Sequence, residues 1–208
     1  MKNKLPIPPL LVITDRATAK GDIKDVVEKS LDGGCRWVMY RYKDAPLQDI
    51  IGNYSFFKNL CTLQNAFLTL NSDLTLIRKM RPEGVHLQPK TSLVKIRKKL
   101  GEKCLIGVSC HSIREAKMAS QQGADYVTLS PIFPTTSKPL YGPTLGISGL
   151  KEACSVLDLP IIALAGVNLE NAKKCFTYGA SGVALMSGVM GSENPRKYVS
   201  ELLNSIKK

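Results

Sequence analysis

The chain has 208 residues, 44% of them hydrophobic and 22% charged, and its formal net charge is +12 at pH 7. This apolar content suffices for a packed core and excludes wholesale disorder. No apolar run approaches the ~18–20 residues of a membrane span, and prolines interrupt the start of the sequence too early for the core of a signal peptide. We therefore expect a single domain over residues 1–208, cytoplasmic in location and without a membrane partner.

Strand-like and helix-like segments alternate along the whole chain. Short apolar runs typical of buried strands cover residues 9–15, 37–43, 67–72, 84–87, 105–110, 126–130, 160–166 and 182–188. Segments with apolar residues at helical spacing follow them at 22–31, after Pro46, and at 74–80, 93–100, 113–122, 148–157, 169–178 and 195–206.

Eight strand–helix units predict an α/β fold, a single (β/α)8 TIM barrel. Continuous apolar strands between amphipathic helices are typical of a parallel sheet covered by helices. A doubly wound sheet is the alternative. No G-x-G-x-x-G motif follows the first strand, which argues against the dinucleotide-binding form of that alternative.

The distribution of basic residues indicates what kind of ligand the chain binds. The basic residues are spread along the chain and only one Trp is present, so a small phosphorylated anion is favoured over nucleic acid.

The six cysteines are far apart with no C-x-x-C pair, which predicts reduced thiols. With only His86 and His111 to add, a zinc site has little support. Cys110 is a weak candidate nucleophile because nothing in the sequence lowers its pKa.

Barrels of this type build their active sites at the carboxyl ends of the strands. In this sequence those ends carry hydrogen-bond donors and cations, with few carboxylates. The residues are Thr14, Asp15, Arg41, Lys43, Asn71, Ser72, His86, Gln88, Ser109, His111, Ser130, the loop 135–138, Ala165, Gly166, Ser187 and Gly188. Such a ring is expected to bind an anion.

The last two strand ends predict a phosphate site. Ala165-Gly166 and Met186-Ser187-Gly188 each precede a predicted helix. Glycine lets a ligand approach the backbone, and the amides at a helix start attract phosphate. Phosphate sites after strands seven and eight recur in this fold. The alternative is that these glycines only make tight turns.

Four further side chains are candidates for substrate contact, chemistry or support. Arg41 and Lys43 alternate along one strand and face the same side of the sheet, where they need an anion. That anion is either a substrate or a structural partner such as Asp44. His111 follows strand five, where a histidine can exchange protons near neutral pH, and a purely structural histidine is the alternative. His86, inside strand four, is expected to face the core or to support the site.

Several short motifs occur in the order found in one known family. They are Arg41-Tyr-Lys43 and the segments 84–87, 106–111, 123–127, 130–138, 163–167 and 179–184. On these motifs the chain resembles the thiamine phosphate synthase/TenI family of (β/α)8 proteins. The resemblance runs nearly end to end and implies a barrel, a phosphorylated thiazole or pyrimidine substrate, and a homodimer.

The resemblance implies one of two chemistries. Synthases of this family join hydroxymethylpyrimidine diphosphate to a thiazole phosphate and release pyrophosphate, with Mg²⁺. TenI-like tautomerases only shift a proton on a carboxylated thiazole phosphate. This chain departs from the synthase motifs at three places. Met39 stands where the synthases have Gln, and Ser72 stands where they have a magnesium-binding Asp. Residues 88–91 stand where they have Gly-Gln-x-Asp, whose Asp also binds magnesium.

These departures favour the tautomerase branch, with no cofactor and no metal ligand. A synthase is the alternative, with Mg²⁺ bound through Asp15, Asp44 or Asp73. A second alternative is a non-catalytic binder of thiazole or thiamine phosphates.

The resemblance also assigns roles to the site residues. His111 corresponds to the histidine that moves the proton in tautomerases. The family's phosphate-binding turns correspond to Ala165, Gly166, Met186, Ser187 and Gly188. Its substrate-binding side chains correspond to Arg41, Lys43, Asn71, Thr135, Ser137 and Lys138.

Overall fold

Eight parallel strands close into a barrel in chain order. The computed structural model describes residues 5–42, 45–71, 74–135 and 143–207. The strands are β1 Leu10–Ile13, β2 Trp37–Arg41, β3 Phe67–Asn71, β4 Gly84–Leu87, β5 Leu105–Cys110, β6 Tyr126–Leu129, β7 Ile161–Ala163 and β8 Gly182–Leu185. Leu11 of β1 pairs with Trp37 of β2 on one side and with Ala184 of β8 on the other, which closes the sheet. The barrel prediction is confirmed, and the doubly wound sheet is excluded.

Helices cover the outside of this barrel between successive strands. They are α1 Ile23–Asp32, α2 Leu47–Leu63, α3 Leu74–Met80, α4 Leu93–Leu100, α5 Ile113–Gln121, α6 Gly146–Val156, α7 Ala172–Thr177, α8 Ser187–Met190 and α9 Pro195–Ile206. In α1, Asp22 caps the first turn by accepting from the Lys24 N–H, and Val26, Val27 and Leu31 are buried against the barrel. None of the helices in the described ranges is both long and apolar enough to cross a membrane.

The ends of strands β7 and β8 differ most from the sequence-based prediction. Strand β7 ends at Ala163 instead of residue 166, and β8 ends at Leu185 instead of residue 188. At β7 the reason is backbone geometry, since Ala165 (φ +72°) and Gly166 (φ +66°) take left-handed conformations that no strand contains. At β8 the short helix α8 begins at Ser187, inside the predicted strand.

The barrel interior is filled by large side chains below the mouth. Leu11, Ile13, Trp37, Met39, Leu105, Tyr126, Ile162 and Ala184 form this inner cluster. The Trp37 and Tyr126 rings meet edge to face with centroids 5.0 Å apart. Because these side chains fill the lower part of the barrel, space for a ligand is expected at the carboxyl ends of the strands.

Candidate active site

A cavity of about 440 Å³ opens at the carboxyl ends of the strands. Its walls include nine of the residues that the sequence singles out for the site: Arg41, Asn71, His111, Thr135, Ala165, Gly166, Met186, Ser187 and Gly188. Lys43, Ser137 and Lys138, also predicted as substrate-binding, lie outside the described residues. The structure therefore brings the described candidates to one cavity, although their roles stay predictions.

His111 is fixed at the cavity wall by bonds to its backbone and to its ring. Ser112 caps α5 by accepting from the Glu115 N–H, and the Glu115 carboxylate in turn accepts from the His111 N–H at 2.6 Å. The ring Nδ1 lies 3.0 Å from the Ser130 carbonyl oxygen and 3.2 Å from the Ser130 hydroxyl. Since a carbonyl only accepts, Nδ1 is the donor and Nε2 carries the lone pair in the neutral ring. His111 is thus oriented to take a proton at Nε2.

The corner after β7 brings backbone close to the cavity. A Cβ on Gly166 would lie 2.5 Å from the Pro134 carbonyl oxygen and 2.6 Å from the Phe133 Cβ, so the turn has room only for glycine. The Asn171 side chain donates to the Gly166 carbonyl at 2.9 Å and holds the turn closed. Ala165 adopts the left-handed conformation with a side chain, at a cost of about 1–2 kcal/mol.

The corner after β8 forms the adjoining part of the wall. Helix α8 starts there, and its hydrogen-bond ladder begins with the Val189 N–H, which donates to the Met186 carbonyl. The N–H groups of Ser187 and Gly188 therefore precede the ladder. Tyr198 of α9 closes this corner, because its hydroxyl lies 3.0 Å from where a Gly188 Cβ would be. Tyr198 is not among the residues predicted from the sequence, because it comes from a helix and not from a strand end.

Arg41 has a structural partner that the sequence did not identify. Its Nη1 donates to the Asp15 Oδ1 at 2.7 Å, and the Thr18 hydroxyl donates to the other Asp15 oxygen at 2.8 Å. The Arg41 and Asp15 side chains are 25% and 12% exposed, so this pair is largely shielded from water. The sequence analysis named Asp44 as the neutralising group, and Asp44 lies outside the described residues. Asp15 is present instead because β1 and β2 are neighbours and end side by side.

The described residues do not fit a magnesium site. No group of three or more His, Cys, Asp or Glu side chains in the described ranges could hold a metal ion. Mg²⁺ requires oxygen ligands, usually one or two carboxylates. Both oxygens of Asp15 already accept hydrogen bonds, from Arg41 and from Thr18. Asp73, the other carboxylate considered with Asp44, also lies outside the described residues.

Two other sequence candidates have defined surroundings. His86 is buried, as expected, and burial lowers its pKa to about 3, so the ring is neutral. Its carbonyl accepts from the Asn71 side chain at 2.9 Å, which positions Asn71 at the cavity wall. Cys110 is fully buried, and burial raises the pKa of its thiol to about 12. Such a thiol is not an activated nucleophile.

The comparisons with known proteins agree with this architecture. A Geobacter sulfurreducens relative, provisionally named a thiamine-phosphate synthase, is 36% identical and covers 93% of this chain and 92% of its own length. The thiamine-phosphate synthase of Pyrococcus furiosus is 31% identical, with 97% and 95% covered. The solved structure of a Pyrococcus furiosus thiamine phosphate pyrophosphorylase superposes with a TM-score of 0.85 at 29% identity, covering 99% of this chain and 96% of that one.

The family assignment follows from the extent of these matches. The family model described as thiamine monophosphate synthase matches residues 10–189, from the first residue of β1 to the corner after β8. The matched segment contains all eight strands and every described candidate residue except Tyr198. The chain therefore belongs to the thiamine monophosphate synthase family.

Proposed function

We propose that the cavity at the barrel mouth is the active site of an enzyme that binds a thiazole phosphate and moves a proton on it without a metal. The observation that carries this proposal is the ring of described residues at the mouth. It includes hydrogen-bond donors and an arginine, and Asp15, the carboxylate next to it, lies outside the cavity lining and is already paired with Arg41. Such a ring suits an anionic substrate and leaves His111 as the proton-transfer group in the described wall.

The two corners after β7 and β8 are the proposed phosphate site. Gly166 brings the backbone to the cavity surface, and the N–H groups of Ser187 and Gly188 precede the ladder of α8. Backbone N–H groups at such corners favour a phosphate, and the chain's net charge of +12 attracts one. This placement would put the ring of the substrate between the corners and His111.

The proposed chemistry uses His111 as base and then as acid. The Ser130 carbonyl holds Nδ1 as donor, so Nε2 would take a proton from one ring position and return it to another. A guanidinium has five N–H donors. Arg41 gives one to Asp15, and we propose that others meet the substrate carboxylate. Asn71 and Thr135 line the same cavity and would bind the remaining polar atoms.

Isomerisation of the carboxylated thiazole phosphate tests this proposal. The purified protein is offered the carboxylated thiazole phosphate in the presence of EDTA, and isomerisation is followed by NMR. We expect turnover, and a fall of at least about 100-fold in His111→Ala, with thiazole phosphate affinity retained within a few-fold. Loss of affinity equal to the loss of rate would contradict the role given to His111.

Thiamine-phosphate synthesis is the second candidate, and the names of the relatives favour it. The curated relatives named above are all named synthases, and Arg41 and Asn71 of the synthase pattern are retained. The same preparation is therefore also offered hydroxymethylpyrimidine diphosphate, thiazole phosphate and Mg²⁺. Thiamine phosphate formed with release of pyrophosphate, and abolished by EDTA, would replace proton transfer with synthesis. Tight thiazole phosphate binding without either turnover would indicate a binder.

A further inference from the structure

A continuous chain of polar side chains runs beneath the cavity, through the barrel interior. The Trp37 Nε1 donates to the Thr69 hydroxyl at 2.9 Å, and Thr69 is hydrogen-bonded to the Tyr126 hydroxyl. The Tyr126 oxygen lies 3.1 Å from His86 Nδ1, and His86 Nε2 lies 3.0 Å from the Ser109 Oγ. The first four residues are buried, whereas Ser109 is partly exposed and lines the cavity.

The barrel register explains how these side chains meet. Gly107 of β5 pairs with His86 of β4 on one side and with Tyr126 of β6 on the other. A Cβ on Gly107 would overlap the Tyr126 ring. The missing side chain therefore lets the Tyr126 ring cross β5 and lie near-parallel to the His86 ring, with centroids 5.5 Å apart.

The chain begins at a group that can only donate. An indole N–H has no acceptor function, so the Thr69 oxygen accepts from Trp37 through one of its two lone pairs. Burial raises the pKa of Tyr126, whereas the Thr69 hydrogen bond lowers it, as a donor to the phenol oxygen does, so the Thr69 hydroxyl hydrogen is assigned to Tyr126. The Tyr126 hydroxyl hydrogen is then directed to His86 Nδ1. A neutral imidazole that accepts at Nδ1 carries its proton on Nε2. In this orientation Thr69, Tyr126 and His86 each accept one hydrogen bond and donate one.

The Nε2 proton of His86 has two hydroxyl oxygens within reach. The shorter contact is to Ser109 at 3.0 Å, and the longer is to Thr128 at 3.2 Å. Thr128 is buried and lies away from the cavity lining. Ser109 is the member that reaches the substrate side, and its oxygen accepts from His86.

We propose that His86 is a positioning residue that holds the Ser109 oxygen as an acceptor and so directs the Ser109 hydroxyl hydrogen into the cavity, toward an acceptor atom of the bound ring compound. The substrate contact rests on the proposed function. The proton arrangement does not, because it follows from contacts within the barrel. The Ser109 hydroxyl hydrogen then cannot be given to His86 Nε2 and is available to the cavity, whereas the opposite tautomer of His86 would take that hydrogen away from it.

Long-range ¹H–¹⁵N NMR on uniformly labelled wild-type protein tests the proton arrangement directly, because the two neutral tautomers of a histidine have different coupling patterns. We expect the Nε2–H form for His86, and we expect Tyr126→Phe to mix the two forms. Thr128→Val is the matched control, since it removes the longer contact of Nε2 and should leave the Nε2–H form in place. A wild-type His86 with its proton on Nδ1 would overturn the proposal.

Affinity for thiazole phosphate, measured by calorimetry, tests the substrate contact. We expect Ser109→Ala to weaken binding about five- to tenfold, as for the loss of one hydrogen bond. Thr128→Val should bind as the wild type does. If Ser109→Ala binds equally well while His86 holds the Nε2–H form, the hydroxyl does not meet the substrate and the positioning role is wrong. If the wild type binds no thiazole phosphate at all, the proposed function fails, and the tautomer measurement still decides the arrangement beneath the cavity.

Discussion

Gly166→Ala is the substitution that most directly tests the geometry of the corner after β7. The new Cβ would lie 2.5 Å from the Pro134 carbonyl oxygen and 2.6 Å from the Phe133 Cβ, on a residue whose φ is +66°. Backbone cannot move aside as a flexible side chain can. Gly123→Ala is the matched control, because Gly123 also has a positive φ, +88°, but nothing lies within 4 Å of its added Cβ.

The two substitutions separate backbone strain from overlap. A left-handed residue with a side chain costs about 1–2 kcal/mol, and the loss of glycine's freedom in the unfolded chain returns about 0.4–1 kcal/mol. Gly123→Ala should therefore lower the free energy of unfolding by at most about 1.6 kcal/mol. Gly166→Ala adds overpacking of about 1–3 kcal/mol. We expect the difference between the two variants to equal this second contribution.

Urea unfolding of both variants measures that difference, provided that the slope of free energy against urea is unchanged. Gly166→Ala should also weaken thiazole phosphate binding, since the backbone after β7 must shift to accommodate the methyl group. Gly123→Ala lies in the turn between α5 and β6, away from the cavity lining, and should bind normally. Equal stability and equal binding of the two variants would refute the close approach described for Gly166.

Two further predictions concern buried titratable groups. Cys110 has a thiol pKa raised by burial to about 12 from 9.0, so its thiolate fraction near pH 8 falls by about three orders of magnitude. Iodoacetamide should label it slowly in the native protein and readily in urea, as followed by mass spectrometry, and rapid native labelling would contradict this burial. For His86, burial lowers the folded-state pKa to about 3, below the ordinary 6.5. Between these values the unfolded chain binds more protons, so the free energy of unfolding should decrease as pH falls from about 6.5, by up to ~1.4 kcal/mol per pH unit from this residue. Urea titrations at several pH values give the free energy of unfolding for the wild type and for His86→Gln. This free energy should depend less steeply on pH in the variant. An equal pH dependence in both proteins would refute the lowered pKa of His86.

Segments with strong periodicity and clear boundaries were predictable from the sequence. Residues 84–87, 93–100 and 105–110 form β4, α4 and β5 with the predicted bounds. Each is set apart from its neighbours by residues such as Gly101, whose positive φ ends α4. Local pattern and final fold agree there, because helix spacing and strand burial depend on residues close in the chain.

The ends of β7 and β8 were not predictable in the same way. Residues 160–166 read as one apolar run, yet the chain turns at Ala165 because Gly166 packs against Phe133 and Pro134, which are far away in sequence. Hydropathy does not report backbone dihedral angles. The largest differences in strand ends therefore fall at two corners that line the cavity, where the backbone departs from a regular strand.

Contacts between side chains from different strands also required the barrel register. The pairing of Arg41 with Asp15 spans 26 residues, and the nearer Asp44 was the natural choice from sequence alone. The contact of His86 with Tyr126 depends on Gly107, which separates them in the register. The sequence located His86 near the core, but only the closed barrel shows which groups it meets.

The charged groups at the mouth of the barrel bear on the choice between thiamine-phosphate synthesis and proton transfer. Release of pyrophosphate develops negative charge that a metal ordinarily stabilises, whereas a proton shift within one ring needs only an oriented base. Asp15 already receives hydrogen bonds from Arg41 and Thr18, so its recruitment as a metal ligand would break contacts that shape the mouth. A magnesium-dependent synthesis by this chain would therefore require carboxylates other than Asp15, or a rearranged Arg41. The names of the relatives favour magnesium-dependent synthesis, whereas the charges at the mouth favour proton transfer without a metal. Assays of both reactions with and without EDTA, on one preparation, distinguish the two.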